Sequence, residues 1–192
     1  MRVLRFEALT ATPWKNGGGT TVEFAVDPPN AGLDAFAWRV SAAEVRESGP
    51  FSRFEGIDRM LAILDGEGLA LDFPARTIRV GPDDPPVAFP GESPVVGRPL
   101  GGVVRDLNVM TRRALWRADV ARRKFAPGEA LLAQGDVRIF VALGDSFAHC
   151  AGERIALAPR DALVLDAGEM ATAGPSAAAF GLAIAMHRVA PT

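Results

Sequence analysis

The sequence predicts an all-β protein, two small, jelly-roll-like β-barrels packed together in one chain. Three observations carry this. Short apolar stretches recur every ~8–12 residues with Gly, Pro, Asp or Ser between them, the spacing of sandwiches and barrels. No stretch shows a convincing 3.6-residue apolar period of the kind an amphipathic helix needs. Two segments 79 positions apart repeat each other.

In chain order, Arg2 to Leu9 reads as a short strand, and Pro13 to Gly19 as a loop. Three consecutive glycines suit a backbone that must take φ > 0 or let something approach closely. Thr20 to Val26 alternates: Val22, Phe24 and Val26 on one face, Thr21, Glu23 and Ala25 on the other, which predicts a half-buried strand. Asp27-Pro28-Pro29-Asn30-Ala31-Gly32 ends it. Phe36 to Val45 is strand-like, and a helical turn around Phe51 to Phe54 or Asp58 is compatible with the pattern. Arg59 to Leu64, Leu69 to Phe73, Thr77 to Val80 and Val87 to Phe89 follow as strands, then Val103 to Met110 and Ala114 to Phe125. Beyond them come Leu131 to Gln134, Val137 to Leu143, Ser146 to Cys150, Arg154 to Leu157, Ala162 to Leu165 and Phe180 to Val189.

The repeat aligns Arg59-Met60-Leu61-Ala62-Ile63-Leu64-Asp65-Gly66 with Arg138-Ile139-Phe140-Val141-Ala142-Leu143-Gly144-Asp145. Trp38-Arg39 matches Trp116-Arg117, Gly49-Pro50 sits where Pro127-Gly128 does, and Phe89-Pro90-Gly91-Glu92 matches Asp166-Ala167-Gly168-Glu169. Four matches in one order indicate two related β units, at a period too long for a solenoid. The order of strand, Gly-rich turn, strand, Pro turn, strand and terminal Gly-Glu resembles the cupin barrel. A bicupin is therefore expected, with residues 1–110 as the first barrel, holding the ligand site, and 111–192 as the second.

Composition narrows the function. The 192 residues are 48% hydrophobic and 23% charged with a formal net charge of −2, which favours neither nucleic acid nor an anionic membrane as partner. The polar N-terminus is unlike a signal peptide, and no apolar run approaches the ~20 residues of a membrane helix, so a cytoplasmic location is expected. Cys150 is the single cysteine, expected as a packed thiol. Lys15 and Lys124 are the two lysines in a chain that otherwise uses arginine for positive charge.

The two histidines, His149 and His187, fall on different expected strands outside any His-x-His cluster, so no metal and no cofactor is expected. Lys15 precedes the glycines and a strand follows them, whereas in a P-loop the lysine follows and opens a helix. What remains is a binding constellation. Amides of Gly17 and Gly18 can form an anion nest, beside the full charge of Lys15. Asn16 both donates and accepts, Trp14 offers a flat wall with one N–H, and Glu23 orients Lys15 or accepts from a ligand. Arg39 and Arg59, if inside a barrel, each need a carboxylate from protein or ligand. Asp106, Asn108 and Met110 share one face of an alternating strand, as a small-ligand cavity requires. The competing reading is a tight turn stapled by a core tryptophan, with solvated arginines and a solvent-facing strand edge.

Pro13-Trp14-Lys15-Asn16-Gly17-Gly18-Gly19 with Thr21 and Glu23 resembles the signature of the HutD/Ves family. So do Trp38-Arg39-x-Ser41, Gly49-Pro50-Phe51-Ser52-x-Phe54-x-Gly56-x-Asp58-Arg59 and Asp106-x-Asn108-x-Met110. The resemblance implies a bicupin with a metal-free pocket in the first barrel, lined from these motifs. It implies binding of a small carboxylate metabolite such as formylglutamate or urocanate, and modulation of histidine utilisation. Lys15, the glycine loop and Arg59 are expected to hold the carboxylate, Trp14 and Met110 to form the apolar wall, and Asn16, Asn108 and Glu23 to fix orientation. The alternative is a metal-free isomerase, lyase or hydrolase with Lys15 or Glu23 as acid or base. Cupin units commonly pair through strand edges, so a homodimer is the expected assembly.

Overall fold

The computed structural model describes residues 1–14, 17–132, 134–166, 168–174 and 178–190. The strands are β1 Arg2–Leu4, β2 Ala11–Pro13, β3 Gly19–Asp27, β4 Trp38–Val45, β5 Gly49–Pro50, β6 Ile57–Asp65, β7 Leu69–Phe73, β8 Arg76–Val80 and β9 Val87–Pro90. They continue as β10 Val96–Pro99, β11 Val104–Arg112, β12 Trp116–Phe125, β13 Val137–Ala142, β14 Ser146–Cys150, β15 Glu153–Leu157, β16 Ala162–Leu165, β17 Ala171–Ala173 and β18 Ala179–Arg188. One helical segment is present among the described residues, a 3₁₀ turn at Phe6–Ala8 that closes the strand expected over Arg2 to Leu9 after Leu4. Residues 51–56 have no helical turn, and in place of a strand at Leu131, Ala130 makes an isolated bridge to Thr172.

The chain divides into two compact units. One comprises Thr10–Arg117 with the chain end from Val189; the other comprises Met1–Leu9 with Ala118–Arg188. The first unit holds a six-stranded sheet, β2-β3-β4-β11-β6-β9, and a four-stranded sheet, β5-β10-β7-β8. The second holds a five-stranded sheet, β1-β16-β13-β18-β12, and a three-stranded sheet, β15-β14-β17. The duplication is visible strand by strand. The order β4-β11-β6-β9 recurs as β12-β18-β13-β16, and β10-β7-β8 recurs as β17-β14-β15.

This strand order is cupin-like, but the expected closed barrels are not formed. Among the described residues no sheet pairs its two edges; each unit is two open sheets. Proline and glycine in the connections explain this, since proline lacks the N–H a continuing ladder needs. The link from β8 to β9 is Gly81-Pro82-Asp83-Asp84-Pro85-Pro86, and β9 itself ends on Pro90. Apolar burial, not ladder closure, unites the two layers of each unit. In the first unit Leu61, Ile63, Phe89 and Val104 of the large sheet pack with Leu69, Leu71 and Val80 of the small one. In the second, Phe140, Leu163 and Leu165 pack with Ala148, Cys150 and Leu157, so Cys150 is a core thiol and burial raises its pKa.

A β-bulge in β3 decides which of its side chains reach the inner face of the large sheet. Glu23 lies opposite Ser41, but Ala25 lies opposite Val40, so Phe24 is the extra residue. Strict alternation would put Val26 on the face of Val22. The bulge transfers it to the face of Glu23, opposite Arg39, where it packs against Phe36, Ile57 and Met110.

Candidate functional site

Strand register determines which side chains share a face, because residues directly opposite one another in a sheet project to the same side. Three rows cross the six-stranded sheet. One runs Val26, Arg39, Met110, Arg59, Phe89; the next Glu23, Ser41, Asn108, Leu61, Val87; the third Thr21, Ala43, Asp106, Ile63. Leu61, Ile63 and Phe89 belong to the core of this unit, so these rows face its interior. A largely apolar surface thus carries Thr21, Glu23, Arg39, Ser41, Arg59, Asp106 and Asn108, of which the last three form one connected group.

Arg59 is 7% exposed. Its Nη2 donates to Asn108 Oδ1 at 2.5 Å and its Nη1 to the Ser52 carbonyl at 3.3 Å. The guanidinium lies 5.1 Å from the ring centres of both Phe51 and Phe89 and 5.9 Å from that of Phe54, close enough for cation–π attraction. Its Nε is buried and, among the described residues, has no hydrogen-bond partner. Burial holds the Arg59 pKa down at about 10; the charge of Asp106 opposes this and that of Arg39 adds to it.

The other end of Asn108 donates from Nδ2 to Asp106 Oδ1 at 2.5 Å. Asp106 is fully buried, and among the described residues its Oδ2 has no hydrogen-bond partner. Burial pushes its pKa up to about 7, against the charge of Arg59 and the hydrogen bond from Asn108. Arg59 and Asp106 are therefore joined through an amide and make no direct ion pair, and each keeps one unsatisfied polar atom.

The remaining expected site residues divide. Arg39 donates from Nε to Glu23 Oε2 at 2.7 Å and from Nη1 to Ser41 Oγ at 3.1 Å, so Glu23 has a partner other than Lys15. Met110 is buried with Phe36 and Ile57. Trp14 is half-buried against the core, with its indole N–H donating to Thr21 Oγ1 at 2.7 Å. Lys15 and Asn16 lie outside the described residues. The Gly17 amide donates to the Trp14 carbonyl, the Gly18 carbonyl accepts from Arg46, and Trp14 N–H donates to the Gly19 carbonyl. β2 pairs antiparallel with β3, and these bonds tie Gly17, Gly18 and Gly19 to Trp14 and Arg46. Two glycines have clear reasons: Gly17 has φ +74°, and a Cβ on Gly19 would sit 2.1 Å from the Glu44 carbonyl oxygen.

Asp106, Ser41, Phe51 and Phe54 belong to the motifs expected to line the pocket, but those motifs assign them no binding role. Phe89 is outside those motifs and reaches the site through its register opposite Arg59. The repeat provides an internal contrast. Arg138, the counterpart of Arg59, is also buried, but its two terminal nitrogens donate to the carbonyls of Glu169 and Asp166. The second unit spends this arginine on a loop; the first aims it at Asn108. Among the described residues no group of three or more His, Cys, Asp or Glu side chains is placed to hold a metal ion. His187 Nε2 lies 3.5 Å from Asp119 Oδ2, and His149 is on β14 of the small sheet.

The molecule thus has two cupin-like units, with a buried arginine–asparagine–aspartate group inside one of them. The chain belongs to the HutD family, whose model matches residues 6–180. An uncharacterized 21.2 kDa protein of Pseudomonas putida, in the hutC 3' region, is 40% identical over 118 residues, 62% of this chain and 62% of that protein. The match thus spans a little under two thirds of that relative's length. A conserved protein of unknown function from Pseudomonas aeruginosa PAO1 superposes with TM-score 0.84 at 30% identity, covering 97% of this chain and 98% of that one. The HutD structure from Pseudomonas fluorescens SBW25 does so at 0.82 and 27%, covering 98% and 99%.

Proposed function

We propose that the inner face of the first unit binds a small carboxylate metabolite, such as formylglutamate or urocanate, and that occupancy modulates histidine utilisation. The observation that carries this is Arg59: a buried guanidinium, clasped by aromatic rings, with no direct ion pair and an unused Nε. Burying a cation without a paired anion is costly, and an arriving carboxylate supplies both the missing charge and the missing acceptor. The family membership and the hutC neighbourhood of the Pseudomonas putida relative support the pathway.

A thermal-shift panel of histidine, urocanate, formylglutamate, glutamate, formate and phosphate tests it. A ligand at 100 times its Kd adds about 2.7 kcal/mol to stability. Carboxylates should raise Tm in the wild type and raise it clearly less in Arg59→Met; no shift with any compound would remove the reading.

A second reading is a metal-free enzyme. One observation favours it: Asp106, buried with its pKa near 7, is suited to general acid–base work, unlike the ion-paired Glu23 of the expected mechanism. Turnover of a panel compound by the wild type, abolished in Asp106→Asn, would establish this reading; binding without turnover would remove it.

A further inference from the structure

Asn108 uses both ends of its amide, accepting from Arg59 Nη2 and donating to Asp106 Oδ1, which fixes its orientation. The tether leaves two buried atoms without partners, Arg59 Nε and Asp106 Oδ2, on the same face of neighbouring strands. Their needs are complementary. Arg59 Nε–H needs an acceptor. Asp106 Oδ2 needs a donor if ionised, or an acceptor if protonated. A carboxylate has two acceptor oxygens and no donor, so it satisfies both atoms only when Asp106 carries a proton.

We propose that the ligand carboxylate is held between Arg59 Nε–H and the protonated carboxyl of Asp106, so that binding requires a proton on Asp106. This rests on the carboxylate reading of the proposed function and names the regulation of that site. The proton stays on Asp106 Oδ2 and is donated to one ligand oxygen; Arg59 Nε–H donates to the other. No bond other than hydrogen bonds is made or broken.

The surroundings support this protonation state. Charged groups on this face are Arg59 from β6, Arg39 from β4 and Glu23 from β3, the last two paired with each other. From the small sheet, the core side chains opposite are Leu69, Leu71 and Val80, all apolar. Lys15, in the connection before β3, lies outside the described residues. Burial raises the Asp106 pKa to about 7 despite Arg59. A ligand anion placed beside it raises it further. Below neutrality the proton is already in place; above it, each binding event draws one proton from solvent.

Calorimetric titration with formate and with glutarate, from pH 5.5 to 8.5, each pH in two amine- or sulfonate-based buffers that differ in ionisation enthalpy and contain no phosphate or carboxylate, tests the coupling. The difference between the two buffers reports proton uptake. Wild-type affinity should be level below about pH 6.5 and fall about tenfold per unit above about pH 7.5, with uptake approaching one proton. Asp106→Asn presents an amide N–H where the acid proton stood, so it should bind with no pH slope. Wild-type affinity level across the range without proton exchange would overturn the coupling and leave carboxylate binding intact, as would an Asp106→Asn variant that keeps the wild-type slope. If neither probe binds the wild type at any pH, the carboxylate reading falls, and the coupling with it.

Discussion

Replacing Asp106 with asparagine should stabilise the first unit, by an amount that grows with pH. The carboxyl has an ordinary pKa of 3.8 and is raised to about 7 in the folded protein. Between those values the unfolded chain releases a proton that the folded protein keeps, so wild-type stability declines as pH rises. The full effect, about three pH units at ~1.4 kcal/mol each, is roughly 4 kcal/mol by pH 8. Asparagine is nearly isosteric and cannot ionise. The two proteins should therefore be close in stability near pH 4 and diverge to a plateau above pH 7, the variant being the more stable. Carboxylates with lowered pKa, such as Asp72 and Glu92 held by Arg98 and Arg113, titrate in both proteins and cancel in the difference. The assay is urea unfolding followed by tryptophan fluorescence, since Trp14, Trp38 and Trp116 all lie in the first unit. A difference that is flat with pH, or a variant that loses ground as pH rises, would refute the reasoning: it would mean Asp106 is ionised in the folded state and stabilised there by Arg59.

Three further outcomes are expected. Arg59→Met should weaken carboxylate binding about 10- to 100-fold, the worth of a charge-assisted hydrogen bond, without lowering Tm, because it removes a buried charge that has no ion-pair partner; titration calorimetry and a melting curve check both parts. Gly19→Ala should destabilise by roughly 1–3 kcal/mol, since its Cβ meets the Glu44 carbonyl at 2.1 Å, whereas Gly17→Ala has open space and should lose only the ~1–2 kcal/mol of a left-handed backbone, as compared by urea midpoints. Cys150, buried with its pKa raised, should react with a thiol reagent only on unfolding, so its labelling rate should follow the urea transition.

Much of the fold is legible because period-two alternation and turn residues are local signals. β4, β6, β11 and the β13-to-β16 series fall close to their expected places. The 79-residue repeat is legible too, and reappears as matched strand orders in the two units. What the sequence hides is non-local. Nothing within Arg2–Leu4 says that its partner is Ala162–Val164, or that the sheets stop short of closing. The bulge that moves Val26 to the other face leaves no mark in an unbroken run of strand-forming residues. For the site, Asp106-x-Asn108-x-Met110 correctly marked a shared inner face, and Arg59 opening an apolar strand marked a buried cation. The pairing of Glu23 with Arg39, and the aromatic clasp from Phe51, Phe54 and Phe89, depend on contacts between strands and loops that no single stretch encodes.

The central claim is that the unused Nε–H of Arg59 is where a carboxylate docks, and an NMR titration observes that proton directly. In the ¹H–¹⁵N spectrum at pH 6, the Arg59 Nε–H signal, assigned by its loss in Arg59→Met, should move downfield and saturate as the tightest-binding carboxylate of the panel is added. A carboxylate that binds while this signal stays unmoved, or the absence of binding by every member of the panel, would contradict the account.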